Sequence, residues 1–122
     1  EYDLEIKNEV CKMQLSKDLL GVPKEQMENV VIAYEPVWAI GTGLVCNADD
    51  ANDVHAYLRT VLADLYDDDV AQNTRIQYGG SVTPDSVDEL MSKPEIDGCL
   101  VGGASLIAES FGRIINFQKL VQ

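Results

Sequence analysis

The sequence predicts an α/β fold on a parallel sheet, read as a portion of a (β/α)8 barrel, on three observations. An amphipathic segment is followed by short apolar, β-branched runs that alternate with helix-like segments three times over. Each run ends in polar or glycine-rich chemistry: Glu35, then Gly79-Gly80-Ser81, then Gly102-Gly103. Several strand ends converging on one face is how barrel enzymes assemble their sites. A doubly wound sheet would instead carry a G-x-G-x-x-G turn after its first strand, and the sequence has none.

The elements follow in order. Apolar side chains at Tyr2, Ile6, Val10, Met13, Leu19 and Leu20 recur at spacings near three and four, which predicts an amphipathic helix stopped at Gly21. After a polar linker with Pro23, the run Val30–Tyr34 is nearly continuous in apolar character, as in a strand covered on both faces. A glycine-rich loop leads to Asn47-Ala48-Asp49-Asp50, a helix start whose inner face reads Ala51, Val54, Leu58, Val61, Leu62 and Leu65. Asp67-Asp68-Asp69 is expected as a solvated turn. Arg75–Tyr78 is the second strand, and Thr83-Pro84-Asp85 opens a helix with Val87, Leu90 and Met91 facing inward. The third strand is Gly98–Val101, and the last helix presents Leu106, Phe111, Ile114 and Ile115.

Composition narrows the function classes. With 122 residues, 46% hydrophobic and 25% charged, the chain falls among ordinary soluble globular proteins, and a single domain over residues 1–122 is expected. No apolar run reaches the roughly 18 residues of a membrane span, and the first residues do not look like a signal peptide, so a cytoplasmic location is expected. A formal net charge of −12 argues against nucleic-acid and anionic-membrane partners. It leaves room for a small anionic substrate held by backbone amides, which do not enter the charge count. Cys11, Cys46 and Cys99 form no C-x-x-C pair, so neither a disulfide framework nor a metal site is expected. The chain does not begin with Met, which fits a piece of something longer.

The candidate site lies at the strand ends. A carboxylate leaving a buried strand and followed by a lid-like segment suits a general base, because partial burial raises a carboxyl pKa toward working pH. The alternative for Glu35 is a strand-terminal cap of a turn. Gly41 and Gly43 give backbone that can approach a ligand or hinge. The glycines before the last two helices can present N–H groups to a phosphate.

Taken together, the segments AYEPVWAIGTG, YGGSV and VGGASL, in this order and at these separations, closely resemble the triosephosphate isomerase family, over nearly the whole chain. The resemblance implies the fifth helix followed by strands and helices six, seven and eight of a TIM barrel. It implies an enzyme that interconverts dihydroxyacetone phosphate and D-glyceraldehyde 3-phosphate by proton transfer through an enediol(ate), in glycolysis and gluconeogenesis, with no cofactor and no metal. Glu35 matches the family's base. Pro36, Val37, Trp38, Ala39, Ile40, Thr42 and Gly43 match its lid, and Gly41, Ser81, Gly102 and Gly103 match the positions whose amides hold the substrate phosphate. Ile40 and Leu100 resemble the apolar pair that closes over the base, and Arg59 and Asp97 a buried structural ion pair. His55, the single histidine, sits in the early turns of a helix and does not match the family's electrophile.

Two departures accompany the resemblance. Leu44 stands where the family usually has Lys after the lid tip. The family's catalytic Asn, Lys and His belong to an amino-terminal half that this chain lacks, and no lysine here can replace them. A complete barrel takes roughly 250 residues. The expected partner is therefore the missing amino-terminal half, with a homodimer in the complete protein and inactivity for this chain alone. The alternative is a truncated, catalytically inactive phosphate-binding or interaction fragment.

Overall fold

A computed structural model describes residues 2–36 and 47–120, with side chains of the first helix from Glu5 onward. Helix α1 runs Tyr2–Asp18, and the chain leaves it through Gly21 at φ +84°, a left-handed conformation that glycine adopts without steric cost. The linker forms a short 3-10 turn over Lys24–Asn29, pinned by the buried Met27. Strand β1 is Val31–Tyr34. Helix α2, Ala48–Leu65, begins where Asn47 accepts a hydrogen bond from the Asp49 N–H at 2.7 Å, satisfying one of the first turn's free donors.

Asp67, Asp68 and Asp69 do not form a solvated turn. Asp67 caps helix α3, Asp68–Asn73, by accepting from the Val70 N–H at 2.9 Å, and it also pairs with Lys24. Acids that read as a charge run are here a cap and a first helical turn, where the helix dipole favours them. Strand β2 is Arg75–Tyr78, as expected. The Thr83 hydroxyl accepts from the Ser86 N–H at 3.2 Å, and Ser86 Oγ accepts from the Thr83 N–H at 3.0 Å. This reciprocal cap precedes helix α4, Val87–Met91, which starts later than the Thr83-Pro84-Asp85 signal suggested. Strand β3 is only Gly98–Cys99, shorter than the expected Gly98–Val101. A 3-10 turn, Gly103–Leu106, and helix α5, Ala108–Ile115, complete the fold. Arg113 pairs with Asp88 of α4, which also accepts from the Gln118 N–H at 2.8 Å, strapping the end of the chain to that helix.

The strands form one three-stranded parallel sheet in the order β1-β2-β3. Val31 pairs with Arg75, Tyr34 with Tyr78, and Tyr78 with Cys99. Tyr34, Ile76 and Tyr78 share one buried cluster with Val54, Leu58 and Leu62 of α2. The opposite face is open: Val31 is 51% exposed, and Ala33 and Arg75 are exposed too. The expectation that the first strand is covered on both faces is therefore corrected.

The same absence of cover corrects several helix faces. Leu15 of α1 and Leu19 just after it are buried, while Ile6, Val10 and Met13 lie on an exposed stripe. Leu65 continues the stripe of Val54, Leu58 and Leu62 but ends α2, where it is exposed, while His55 and Arg59 widen the buried face earlier in the helix. In the last segment Ile114 is buried, Phe111 half-buried, and Leu106 and Ile115 exposed. Apolar periodicity marks a face that can be buried, and burial requires a second layer opposite it.

Candidate functional site

The carboxyl ends of the strands are held together by main-chain bonds. Gly79 N–H donates to Tyr34 O at 2.8 Å, and Leu100 N–H donates to Tyr78 O at 2.8 Å. Continuing the parallel register by one residue brings Glu35, Gly79 and Leu100 to one level on the sheet's open face. The closeness is tight. A Cβ built on Gly79 would lie 2.9 Å from Glu35 Cγ, 3.3 Å from Tyr34 O and 3.6 Å from Leu100 Cδ2. Glycine at 79 therefore gives the carboxylate stem its room, which is a steric role that reading the glycine pair as an anion cradle did not include.

Gly80 is constrained further. Its Cβ would fall 2.1 Å from the Tyr78 hydroxyl and 2.9 Å from Pro36 Cγ, so only glycine fits between them. Pro36 is fully buried, and it fixes the direction in which the chain leaves Glu35.

Glu35 itself is exposed, so the described residues do not supply the partial burial expected of a shielded base. The expectations for Val37, Trp38, Ala39, Ile40, Gly41, Thr42 and Gly43, and the departure at Leu44, lie outside the described residues. Ser81, Gly102 and Gly103 are exposed and follow β2 and β3, at the carboxyl end of the sheet where Glu35 follows β1. Leu100 is 46% exposed and stands beside Gly79. The consecutive residues Ile32–Glu35 also line a groove of about 250 Å³ against Cys11, Leu15 and Asp18 of α1. Residues of both faces line it, as they do beside a strand's unpaired edge.

The framework under the site is polar and buried. Arg59 donates to Ala71 O and Thr74 O, both at 2.8 Å, and pairs with Asp97, whose carboxylate also accepts from the Ile76 N–H at 3.0 Å. The expected Arg59–Asp97 pair is present and joins α2 to the approaches of β2 and β3. Sequence reasoning missed Glu95. Its carboxylate lies 3.3 Å from Arg59 Nε, and its main chain is held by Asn52, His55 and Arg59 of α2. The available signal was the placement of His55 and Arg59 on the stripe of Ala51, Leu58 and Leu62.

His55 is fully buried. Its Nδ1 lies 3.2 Å from Glu95 O, and its ring meets Tyr34 edge-on at 5.8 Å between centroids and Tyr78 at 6.4 Å. A carbonyl only accepts, so Nδ1 carries the proton, and among the described residues Nε2 has no hydrogen-bond partner. Burial lowers the His55 pKa to about 4, the Glu95 carbonyl acting against this shift. Burial likewise pushes the Cys99 thiol up to about 11 and raises that of Cys11, which keeps both protonated and unreactive. Among the described residues, no helix is long and apolar enough to cross a membrane.

The triosephosphate isomerase family model matches residues 1–118. The chain is 60% identical over 109 residues to a triosephosphate isomerase of Chloroflexus aurantiacus, covering 89% of this chain and 44% of that protein. It is 58% identical over 105 residues to one of Streptomyces avermitilis (86% and 41%) and 53% identical over 110 residues to one of Clostridium perfringens (90% and 44%). The chain thus spans less than half the length of these curated relatives. The strand ends that gather Glu35, Gly79 and Leu100 on one face of a parallel sheet are an arc of a TIM barrel, and the chain belongs to the triosephosphate isomerase family.

Proposed function

We propose that this chain is one partial domain which, completed by an amino-terminal half, interconverts dihydroxyacetone phosphate and D-glyceraldehyde 3-phosphate. The observation that carries the reading is the level shared by Glu35, Gly79 and Leu100, with the glycine-bearing segments following the same strand ends. Glu35 accepts a proton from the carbon next to the substrate carbonyl and returns it to the neighbouring carbon, so the enediol(ate) forms and collapses with no net loss of the proton. Amides at Gly41, Ser81, Gly102 and Gly103 hold the phosphate and fix the carbons against that carboxylate, which saves the entropy of finding the geometry. Leu100 and Ile40 exclude water from the carboxylate, which strengthens its interaction with the substrate. The complete protein is a homodimer, works in the cytoplasm and uses no cofactor or metal.

The carbonyl needs polarisation and the phosphate needs a compensating cation, and in this reading both come from the other half. The isolated chain is accordingly inactive. The test joins this chain to the amino-terminal half of the Chloroflexus aurantiacus relative and follows triose phosphate interconversion. Turnover is expected in the completed protein and not in the isolated chain. Glu35→Gln in the completed protein should lower kcat by about 10²–10⁴-fold with KM little changed, because the amide fills the same space and cannot take the proton. A proportional loss of binding and rate would make Glu35 a turn cap. No turnover in the completed protein would favour the inactive phosphate-binding fragment.

A further inference from the structure

We propose that His55 is a positioning residue for the site: its buried ring, held at one end by the Glu95 carbonyl, props Tyr34 and Tyr78 and so sets the strand ends that carry Glu35 and Gly79. The inference deepens the isomerase reading and rests on it for its kinetic arm.

The chain of contacts is short. Tyr34 and Tyr78 are paired in register on neighbouring strands, and both rings meet the imidazole. One residue on, the Tyr34 carbonyl accepts from Gly79 and the Tyr78 carbonyl from Leu100. A rotation of either tyrosine backbone therefore moves Glu35 against Gly79, where even an added Cβ would not fit. The other end of the lever is fixed. Glu95 N–H donates to Asn52 Oδ1 at 2.9 Å, and the Glu95 carbonyl accepts from Arg59 at 3.3 Å as well as from His55. Asn52, His55 and Arg59 thus grip one peptide from a single face of α2, and the fully buried ring is held between that peptide and the tyrosines.

The chemistry of the ring suits this use. A neutral imidazole fills an apolar gap between two aromatic rings while donating one hydrogen bond. The groups facing it are Arg59 on its own helix, Asp97 and the Glu95 carbonyl at the approach to β3, and the two tyrosines. Protonation would place an N–H at Nε2, which has no acceptor among the described residues, so His55 stays neutral across the physiological range and the lever keeps one shape.

Two substitutions separate the two ends of the lever in the completed protein. His55→Asn keeps an N–H donor toward Glu95 and removes the ring from the tyrosines. It should lower kcat by about 10–10²-fold, leave KM within about twofold, and shift the ¹³C signal of the Glu35 carboxyl carbon. His55→Phe keeps the ring and loses the donor. It should lower the thermal midpoint while kcat stays within about threefold and the Glu35 signal stays in place. Wild-type kcat and an unmoved Glu35 signal in His55→Asn would overturn the proposal, as would losses of kcat in both variants that track their loss of Tm. If His55→Asn does not fold, His55→Phe decides by its Glu35 signal, which must match that of the unsubstituted protein. Absence of turnover in the unsubstituted completed protein counts against the isomerase reading, and the Glu35 signal then decides on His55 alone.

Discussion

The two faces of the sheet behave as different materials. On the helix side, Tyr34, Ile76 and Tyr78 are buried with Val54, Leu58 and Leu62, and Arg59 of the same helix is paired with Asp97 and Glu95. On the open side, Val31, Ala33, Glu35 and Arg75 lie exposed. The same strands supply both sets by alternation, so the difference comes from what covers each face and not from the strands' own propensity. This chain carries its own support on one face and leaves the other uncovered, as expected of an incomplete barrel whose interior lacks its remaining strands and whose candidate chemistry stands at the carboxyl ends of those it has.

Breaking the helix-side network should have the largest effect. Arg59→Met retains the apolar stem but leaves Asp97, the Glu95 carboxylate and the Ala71 and Thr74 carbonyls without their partner. A loss of about 3–5 kcal/mol is expected from urea unfolding of the completed protein, near the lower end because Asp97 keeps some contact with water. A loss below about 1 kcal/mol would mean that the network is solvated and that the two faces differ less than their burial implies.

Acid attacks the same face through His55. Its folded pKa of about 4 lies below the ordinary 6.5, so between these values the unfolded chain binds more protons than the folded one. The His55 contribution is therefore complete above pH 6.5 and is lost as the pH falls toward 4, amounting to about 3 kcal/mol at the lower limit. Stability measured from pH 7 to 4 should show this slope, and His55→Phe should flatten it.

Gly80→Ala probes the boundary between the faces. Its methyl would overlap the Tyr78 hydroxyl, so the ring or the turn has to shift, and a cost of about 1–3 kcal/mol is expected. Thermal unfolding checks the cost, and a crystal structure of the variant should show Tyr78 displaced. The open face should be the least sensitive. Val31→Thr should change the stability of the isolated chain by less than about 0.5 kcal/mol, because Val31 is 51% exposed there. In the completed protein the same hydroxyl should cost about 1–3 kcal/mol if that face becomes interior. Equal effects in both contexts would show that the added half does not cover it.

The sequence by itself determined the local units. Short β-branched runs ending at Tyr34 and Tyr78 appear as strands that end there, Asn47 caps α2, and Glu35 and the glycine pairs stand just past the strand ends, because periodicity, capping and glycine chemistry act over only a few residues. The aspartate run departs from its expected solvated turn for the same reason: a cap and a turn have the same composition, and the Val70 N–H decides between them. Tertiary structure alone decided which apolar stripes are buried. Ile6, Val10 and Met13 obey the helical period as well as Leu15 and Leu19 do, yet only the latter pair is buried. It alone also brought His55 against Tyr34 and Tyr78, and closed Arg59 around the Glu95 peptide, 36 residues away in sequence. Contacts between distant segments depend on the volume left when all the elements pack together, and no local pattern in the chain records that volume.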